Sequence, residues 1–386
     1  MNPFRTYDKA LFIVVLLLIV FGTLMVYSST AVVAPKGDDN VSQYYYLKRH
    51  LFTMALGFLM MYLAYRTKPQ SLRAFAVPLL VFSFVLLLMV FVPGLGVKAG
   101  NAKRWIRLWP STFQPSELVK LSMVIFLARY MSGEGYSTDR LRCFLIPVSV
   151  MAIISAVFIR QPDFGATMTL FLITFCMLGI SGISWKYILS LLVLAVPVMI
   201  KLLQEPYRLK RIVAFLNPWE NAQGSGFQLV QSFIAFGSGG FTGVGLGNSK
   251  QKLSFLPEIH TDFIFSMVGE ELGFIVASVV VVLFGFIFMR GISIAERNNS
   301  DRFRFYLAYG ISLMIGLQAL INFFVVTGLA PTKGLPLPFI SYGGSSLLVN
   351  MTAIGILLNL SKEAEDRDFL AEKRKKARLM AYRRQA

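Results

Sequence analysis

The sequence predicts an all-α polytopic membrane protein, with ten transmembrane helices and a long outer loop between helices 7 and 8. Hydrophobic residues make up 55% of its 386 residues and charged residues only 15%, against roughly 25% charged in soluble domains. Mean hydropathy is +0.62, and runs of about 20 apolar residues, the length that spans a hydrocarbon core, recur along the chain. This composition excludes a soluble enzyme and a disordered chain. The two cysteines are too few for a secreted disulfide scaffold.

Each predicted span is a mostly apolar run of membrane-crossing length. The first run follows Arg5 and Lys9, as a secretory signal would, but it is too long for a signal peptide and is predicted to be a retained helix. The ten spans cover residues 10–30, 50–65, 72–93, 116–131, 143–160, 164–182, 185–203, 262–290, 303–327 and 344–360.

The distribution of lysine and arginine predicts the orientation. An even number of spans places both termini on one side, and most of the cations near helix ends lie on that side. Cytoplasmic loops carry the excess of positive charge, so both termini are predicted to be cytoplasmic. Residues 1–360 form a single transmembrane domain with outer loops at about 94–115 and 204–261, and residues 361–386 form a basic cytoplasmic tail.

The outer loops also carry positive charge, against the usual insertion bias. Arginine and lysine side chains suit phosphate groups, so these cations are candidates for binding an anionic substrate. A basic loop that contacts anionic lipid headgroups is an equally good interpretation. The net charge of +18 does not indicate nucleic acid, because the cations are dispersed among apolar runs. The candidate diphosphate-binding residues are Lys103, Arg104, Arg107, Arg208, Lys210 and Arg211.

Three helices that begin on the outer face carry an acidic residue at their start. Glu117, Asp163 and Asp262 are expected in the first turns of the fourth, sixth and eighth spans. A structural explanation is available for each, because acids at a helix N-terminus accept free N–H groups and face the positive end of the dipole.

Further polar residues near these acids favour a functional cavity. Lys120 follows Glu117 by three residues, which places both on one helix face as a charge pair. Ser266 and Glu270 follow Asp262 at four and eight residues and form a polar stripe. Ionisable groups within a span are costly and normally line a cavity or pathway. We therefore expect these groups to converge, with Asp163, at the outer mouth of a water-filled cavity.

Carboxylates beside a cation and a basic rim suit one kind of chemistry. A carboxylate base activates a hydroxyl group while cations hold an anionic leaving group. A sugar acceptor and a diphosphate-linked lipid donor fit this description. A proton-coupled transporter also uses buried acids, and the residues alone leave both interpretations open.

Several longer motifs resemble a known family. Their order and spacing are similar to the SEDS family (shape, elongation, division, sporulation) of bacterial cell-wall polymerases, and two further stretches, 245–253 and 331–334, are similar to its cell-division branch. The stretches that carry the family resemblance are 103–106, 114–117, 160–167, 256–265, 269–273 and 338–346.

The resemblance implies a peptidoglycan glycosyltransferase that polymerises lipid II, an undecaprenyl-diphosphate-linked disaccharide peptide, into β-1,4 glycan strands. It places the protein in the inner membrane at the division septum, with the active site on the outer face. It implies a class B penicillin-binding protein transpeptidase and other division-complex membrane proteins as partners. A lipid II flippase and a non-catalytic division scaffold are the alternatives.

The resemblance also assigns roles to residues. It implies that Asp262 is catalytic and that Glu117, Lys120 and Asp163 are functionally important. It further implies a divalent cation, Mg or Mn, for which Asp163 is the candidate ligand. No organic cofactor is expected.

Overall fold

A computed structural model describes residues 7–30, 44–99, 102–108, 111–203, 206–252 and 259–362. Within these ranges the chain forms twelve helices and three short strands. The helices are α1 Lys9–Thr30, α2 Tyr45–Arg66, α3 Pro69–Met89, α4 Pro115–Met131, α5 Leu141–Arg160, α6 Phe164–Ile180, α7 Trp185–Leu203, α8 Pro206–Leu216, α9 Phe227–Gly239, α10 Ile264–Arg297, α11 Arg302–Val326 and α12 Gly344–Lys362. The strands are β1 Gly96–Ala99, β2 Ala102–Leu108 and β3 Ser111–Phe113.

A helix occupies each of the ten predicted spans. In the described part of the chain, six helices are long and apolar enough by themselves to cross a membrane, and α6 is a shorter apolar helix. Helices suit this setting because each satisfies its backbone hydrogen bonds internally, where lipid offers none. The protein is therefore an integral membrane protein. The six helices are α1, α3, α5, α10, α11 and α12.

The two loops that are predicted to lie on the outer side contain structure that the all-α prediction lacked. The first loop folds into an antiparallel sheet with strand order β1-β2-β3, in which Ile106 pairs with Gly96 on one side and Phe113 on the other. Alternate side chains of a strand point to opposite faces. Ile106 is buried and Arg104 half-buried on one face of β2, while Lys103 and Arg107 are exposed on the other. The second loop carries α8 and α9.

The helices divide into a buried centre and a peripheral layer. Within the apolar 18-residue stretch of each helix, 72% of the residues are buried in α11 and in α12, but only 22% in α3 and 28% in α10. Nearly all of α4 is buried as well. The central helices also carry the buried polar side chains described below, because a polar group inside a bundle finds partners that lipid does not provide.

Helix α10 is broken at Gly273, where φ is 76° and ψ is −177°. Glycine adopts this conformation at little cost, whereas a side chain would be strained. The loop after α9 fills the break: Phe274 N–H donates to the carbonyl of Gly240 (2.9 Å), and Val244 N–H donates to the carbonyl of Glu270 (3.0 Å). Irregular backbone is tolerated in a membrane protein where other parts of the protein satisfy it. The first nine residues of α10 thus form a separate short helix.

Candidate active site

A buried ion pair lies near the start of α4. Lys120 Nζ is 2.9 Å from Glu117 Oε1, and the two residues are 1% and 3% exposed. The charge pair expected from their spacing is therefore present. Lys120 Nζ also donates to Gln318 Oε1 on α11 at 3.4 Å. Such a pair compensates the loss of hydration only when further hydrogen bonds support it.

Gln318 connects the ion pair to the segment between α11 and α12, residues 327–343, which we call the α11–α12 loop. Its Nε2 donates to the Pro336 carbonyl at 2.9 Å and to Ser346 Oγ at 3.1 Å. Asn350 Nδ2 donates to Ser346 Oγ from one turn further along α12. The ion pair, two central helices and the loop therefore form one hydrogen-bonded network.

Asp163 is the N-cap residue of α6. Its Oδ1 accepts a hydrogen bond from Ala166 N–H (3.1 Å) and its Oδ2 accepts one from Gln114 Nε2 (3.3 Å). The backbone N–H of Gln114 in turn donates to Ser345 Oγ (2.9 Å). Asp163 therefore caps its helix, as aspartate commonly does, and is tied to the start of α12 through Gln114.

The described residues do not fit a metal site at Asp163. Within the described ranges, no group of three or more His, Cys, Asp or Glu side chains is arranged to hold a metal ion. The Asp163 carboxylate is 2% exposed and already serves as a helix cap. The carboxylate that the sequence offers as a metal ligand is therefore engaged in capping α6.

Asp262 does not lie in the first turn of its helix, contrary to the sequence prediction. Helix α10 begins at Ile264, and its N-cap is Phe263, which makes no side-chain cap hydrogen bond. Asp262 precedes the cap and is half-buried. The difference arises because the chain forms turns through residues 259–263 before the helix starts. Helix capping therefore does not explain this carboxylate.

The segment that carries Asp262 is fastened to the α11–α12 loop. Asn322 Nδ2 on α11 donates to the carbonyls of Asp262 and Leu335, both at 2.8 Å. Ser341 Oγ donates to the carbonyl of Thr261 at 2.6 Å. Because the same loop accepts a hydrogen bond from Gln318, it connects Asp262 to the Glu117–Lys120 pair.

The carboxylate of Asp262 faces a glycine. A Cβ atom added to Gly334 would lie 2.7 Å from Asp262 Oδ2. One residue further along, Leu335 packs against the start of α6, where a Cβ on Gly165 would lie 3.2 Å from its side chain. The α11–α12 loop therefore lies between Asp262 and the N-terminal end of α6, beside Asp163.

Two of the six candidate diphosphate-binding cations reach this region. Arg104 donates from Nε to the carbonyl of Gln161 (3.3 Å) and from Nη2 to that of Pro162, next to Asp163. Arg211 Nη1 donates to the carbonyl of Thr332 in the α11–α12 loop at 3.2 Å. The side chain of Arg208 lies outside the described part of the chain. The remaining three, Lys103, Arg107 and Lys210, are exposed.

Known proteins share this arrangement of helices and loops. The family model for FtsW, RodA and SpoVE, described as "Cell cycle protein", matches residues 8–366. The chain belongs to this family. It is 42% identical over 357 residues to "Probable peptidoglycan glycosyltransferase FtsW" of Geobacter sulfurreducens, a match that covers 92% of the chain and 95% of the relative.

Solved structures of the FtsW/RodA/SpoVE family have the same fold. A chain of a peptidoglycan synthase complex, described as showing structural coordination of polymerization and crosslinking, aligns with TM-score 0.76 and 26% identity over 93% of this chain and 98% of its own. The Thermus thermophilus rod shape determining protein RodA aligns with TM-score 0.67 and 25% identity over 93% and 97%.

Ser266 and Glu270, which the sequence places in the predicted cavity, point toward α9 and the loop that follows it. Ser266 Oγ hydrogen-bonds to Ser232 Oγ on α9 at 2.6 Å. Glu270 accepts hydrogen bonds from Ser249 Oγ and from Lys250 N–H, the latter at 3.0 Å. The residues share one helix face as their spacing indicated, but that face packs against α9 and the loop that follows it. The structure does not bring them to the Glu117–Lys120 pair.

Sequence reasoning missed the role of Glu271. Its carboxylate accepts hydrogen bonds from Ser28 Oγ on α1 at 2.8 and 2.9 Å, and Lys252 Nζ lies 3.8 Å from Oε1. The residue is fully buried beside the break in α10. An ionisable residue inside a predicted span was the available signal. For Gln318 and Asn322, single amides on an apolar helix, no local signal distinguished them.

Proposed function

We propose that this protein is a peptidoglycan glycosyltransferase that polymerises lipid II into β-1,4 glycan strands on the outer face of the cytoplasmic membrane, during septal wall synthesis. The observation that carries the proposal is the position of the half-buried Asp262 carboxylate, which faces Gly334 of the α11–α12 loop. The same loop is hydrogen-bonded to Gln318, the partner of the Glu117–Lys120 pair. Relatives about 40% identical that are named peptidoglycan glycosyltransferases support the assignment.

In the proposed reaction, Asp262 acts as the general base. The 4-hydroxyl of an acceptor sugar gives its proton to the carboxylate as its oxygen attacks the anomeric carbon of the donor. The bond from that carbon to the lipid diphosphate breaks, and its electron pair leaves with the diphosphate. One displacement converts an α-linked donor into a β-1,4 link. A positioned base of this kind contributes about 10²–10⁴-fold to the rate.

The surrounding residues orient the base and offset charge. The Glu117–Lys120 pair fixes the α11–α12 loop through Gln318 and is not itself a proton acceptor in this scheme. Arg104 and Arg211 are proposed to lie beside the diphosphate as it departs, because fixed cations where negative charge develops lower the barrier. The divalent cation, Mg or Mn, stays a prediction.

The proposed topology has ten spans, cytoplasmic termini and Asp262 on the outer side. Six strongly apolar helices and a helix in every predicted span support it. A class B penicillin-binding protein is the proposed transpeptidase partner, since the solved relative belongs to a synthase complex that coordinates polymerization and crosslinking. Other division-complex membrane proteins are proposed as further partners, at the septum.

The proposal is tested by incubating the purified chain with lipid II, with and without its transpeptidase partner, and resolving the glycan on a gel. We expect polymer from the wild-type protein when substrate is supplied on the outer side of liposomes. Movement of lipid II across the liposome membrane without polymer would instead establish the flippase. Full division function in cells with alanine at Asp262 and at Lys120 would favour the scaffold.

Gly334→Ala is expected to lower polymerisation by about 10- to 100-fold, because displacement of a reacting group by a fraction of an ångström is costly. The new methyl group would lie 2.7 Å from Asp262 Oδ2 and would force the carboxylate to move. The atom it meets is the end of a flexible side chain, so folding is expected to be retained. The measurement is the rate of glycan formation beside the thermal unfolding midpoint in detergent.

Gly343→Ala is the matched control, since a Cβ there would make an ordinary contact of 3.5 Å with Pro336 in the same loop. It is expected to retain both activity and stability. Equal activity of the Gly334→Ala and Gly343→Ala variants would show that the position of the Asp262 carboxylate is not critical.

A further inference from the structure

Lys333 is a cation in the α11–α12 loop that has no anionic partner among the residues that the structure describes. Its Nζ lies 4.6 Å from the centre of the Phe164 ring and contacts Met168 Sδ, both on α6. Among the described residues, no carboxylate lies within ion-pair distance of this ammonium group. Burial lowers its pKa from the usual 10.5 to about 8. A charge withdrawn from water without a partner costs free energy, which binding of an anion would offset.

The position of Lys333 relates it to the reacting carboxylate. The next residue, Gly334, faces Asp262 Oδ2, whereas the Lys333 side chain extends toward α6. The Asp262 carboxylate therefore faces one residue of the loop, and the ammonium group belongs to the residue before it. A single displacement needs two such groups, because the nucleophile and its base approach one side of the anomeric carbon and the leaving group departs from the other.

A second cation reaches the same stretch of the loop. The guanidinium group of Arg211, on α8, donates to the carbonyl of Thr332, the residue before Lys333. An ammonium point charge and an arginine fork are the two side chains that most often bind phosphate. Together they place two cationic side chains at Thr332 and Lys333, directly before Gly334, which faces Asp262.

We propose that Lys333, with Arg211 beside it, binds the diphosphate of the lipid-linked donor and stabilises it as the leaving group. This inference rests on the proposed glycosyltransferase function. As the bond between the anomeric carbon and the diphosphate oxygen breaks, its electron pair stays on that oxygen, and Lys333 offsets the new charge without giving up a proton. The acceptor's proton goes to Asp262. Lys333 is thereby a substrate-binding residue that is not among the six candidate diphosphate-binding residues predicted from the sequence.

The experiment compares Lys333→Met, Lys333→Arg and Lys250→Met in the polymerisation assay, with inorganic pyrophosphate as the inhibitor. Lys333→Met is expected to lower kcat/KM for lipid II and to weaken pyrophosphate inhibition, each by roughly 10- to 100-fold, the range of a lost hydrogen bond to a charged group. Lys333→Arg keeps the charge and is expected to retain most of both. Lys250 is an exposed lysine that uses its backbone N–H toward Glu270, so its variant should behave as wild type.

Thermal unfolding separates binding from a structural role. Because the folded pKa of Lys333 lies below its usual value, the protonated side chain disfavours folding at neutral pH, and this cost disappears as pH rises from about 8 toward 10.5. Lys333→Met is therefore expected to unfold at the same temperature as wild type or higher. A lower Tm together with unchanged pyrophosphate inhibition would assign Lys333 to packing and overturn the proposal.

A further measurement, the pH dependence of pyrophosphate inhibition, uses wild type and Lys333→Arg and does not require Lys333→Met to fold. Among the described residues, the charged groups on the elements around Lys333 are Arg211 on α8, Asp262 before α10 and Asp163 at the start of α6. Pyrophosphate inhibition of wild type, relative to that of Lys333→Arg, should weaken as pH rises through about 8. The ratio cancels the titration of pyrophosphate itself, and a flat ratio would overturn the proposal.

Failure of this inference is distinguishable from failure of the proposed function. If wild type makes glycan, Asp262→Asn does not, and Lys333→Met matches wild type in kcat, KM and pyrophosphate inhibition, the leaving-group site is wrong while the glycosyltransferase assignment holds. If wild type makes no glycan with its partner present, the glycosyltransferase assignment itself fails.

Discussion

Asp262→Asn is expected to reduce glycan formation from lipid II by about 10²–10⁴-fold, the contribution of a positioned general base. Asparagine has the same shape but accepts no proton at neutral pH. The substitution should leave the fold intact, because the Asp262 side chain does not cap α10 and Asn322 holds the segment through the Asp262 carbonyl. The measurement is the initial rate of polymerisation by the purified variant with its transpeptidase partner.

The control for this variant is Asp139→Asn, which removes an exposed carboxylate from the opposite end of the bundle. It should polymerise at the wild-type rate, and both variants should have the wild-type Tm. Polymer made by Asp262→Asn at a rate near that of Asp139→Asn would show that another group accepts the proton.

Lys120→Met is expected to lower the free energy of unfolding by about 3–5 kcal/mol, the usual effect of removing one partner of a buried ion pair. The variant would leave the Glu117 carboxylate, which is 3% exposed, without its cation at 2.9 Å. It would also remove the hydrogen bond to Gln318 and so loosen the α11–α12 loop. The measurement is denaturant unfolding in mixed micelles, followed by helical signal.

A double variant, Glu117→Gln with Lys120→Met, completes the cycle. Removing both charges together is expected to recover stability to within about 1–2 kcal/mol of wild type, because no unpaired charge remains buried. If the double variant loses as much stability as the sum of the single variants, the two residues are not coupled and the buried pair does not account for the loss.

Local sequence rules were sufficient to predict the helices and one charge pair. A helix lies at every position where hydropathy predicts a span, because lipid requires a continuous apolar run for each helix. The spacing of Glu117 and Lys120 predicted their contact, since residues three apart on a helix are neighbours. Asp163 was correctly expected at a helix start, where its carboxylate caps α6.

Contacts between distant segments were not accessible in this way. The Asp262–Ser266–Glu270 spacing defined a common face but not its partner, which proved to be α9 and the following loop. Asn322 holds two carbonyls that belong to different loops. Pairings of this kind depend on how the helices pack, and periodicity within one helix carries no information about them.

The strands of the first predicted outer loop show a second limit of sequence-based prediction. The apolar runs that dominate the composition give no reason to expect β1, β2 and β3. The six candidate diphosphate-binding residues are grouped by their charge alone. The sheet sorts the cations of β2 by strand alternation, so that Arg104 faces the protein and Lys103 and Arg107 face water. Charge identifies the candidate phosphate-binding residues of β2, and the backbone geometry of the strand decides that Arg104 contacts the segment next to Asp163.

The break at Gly273 has a consequence for how the protein responds to its lipid surroundings. Long transmembrane helices adjust to a thicker or thinner bilayer by tilting. The long part of α10, which is able to tilt, begins after Gly273. Asp262 directly precedes the short helical segment before the break, and Asn322 of α11 is hydrogen-bonded to its carbonyl. We therefore expect a change of tilt to be absorbed at the break, so that the position of Asp262 changes little with bilayer thickness.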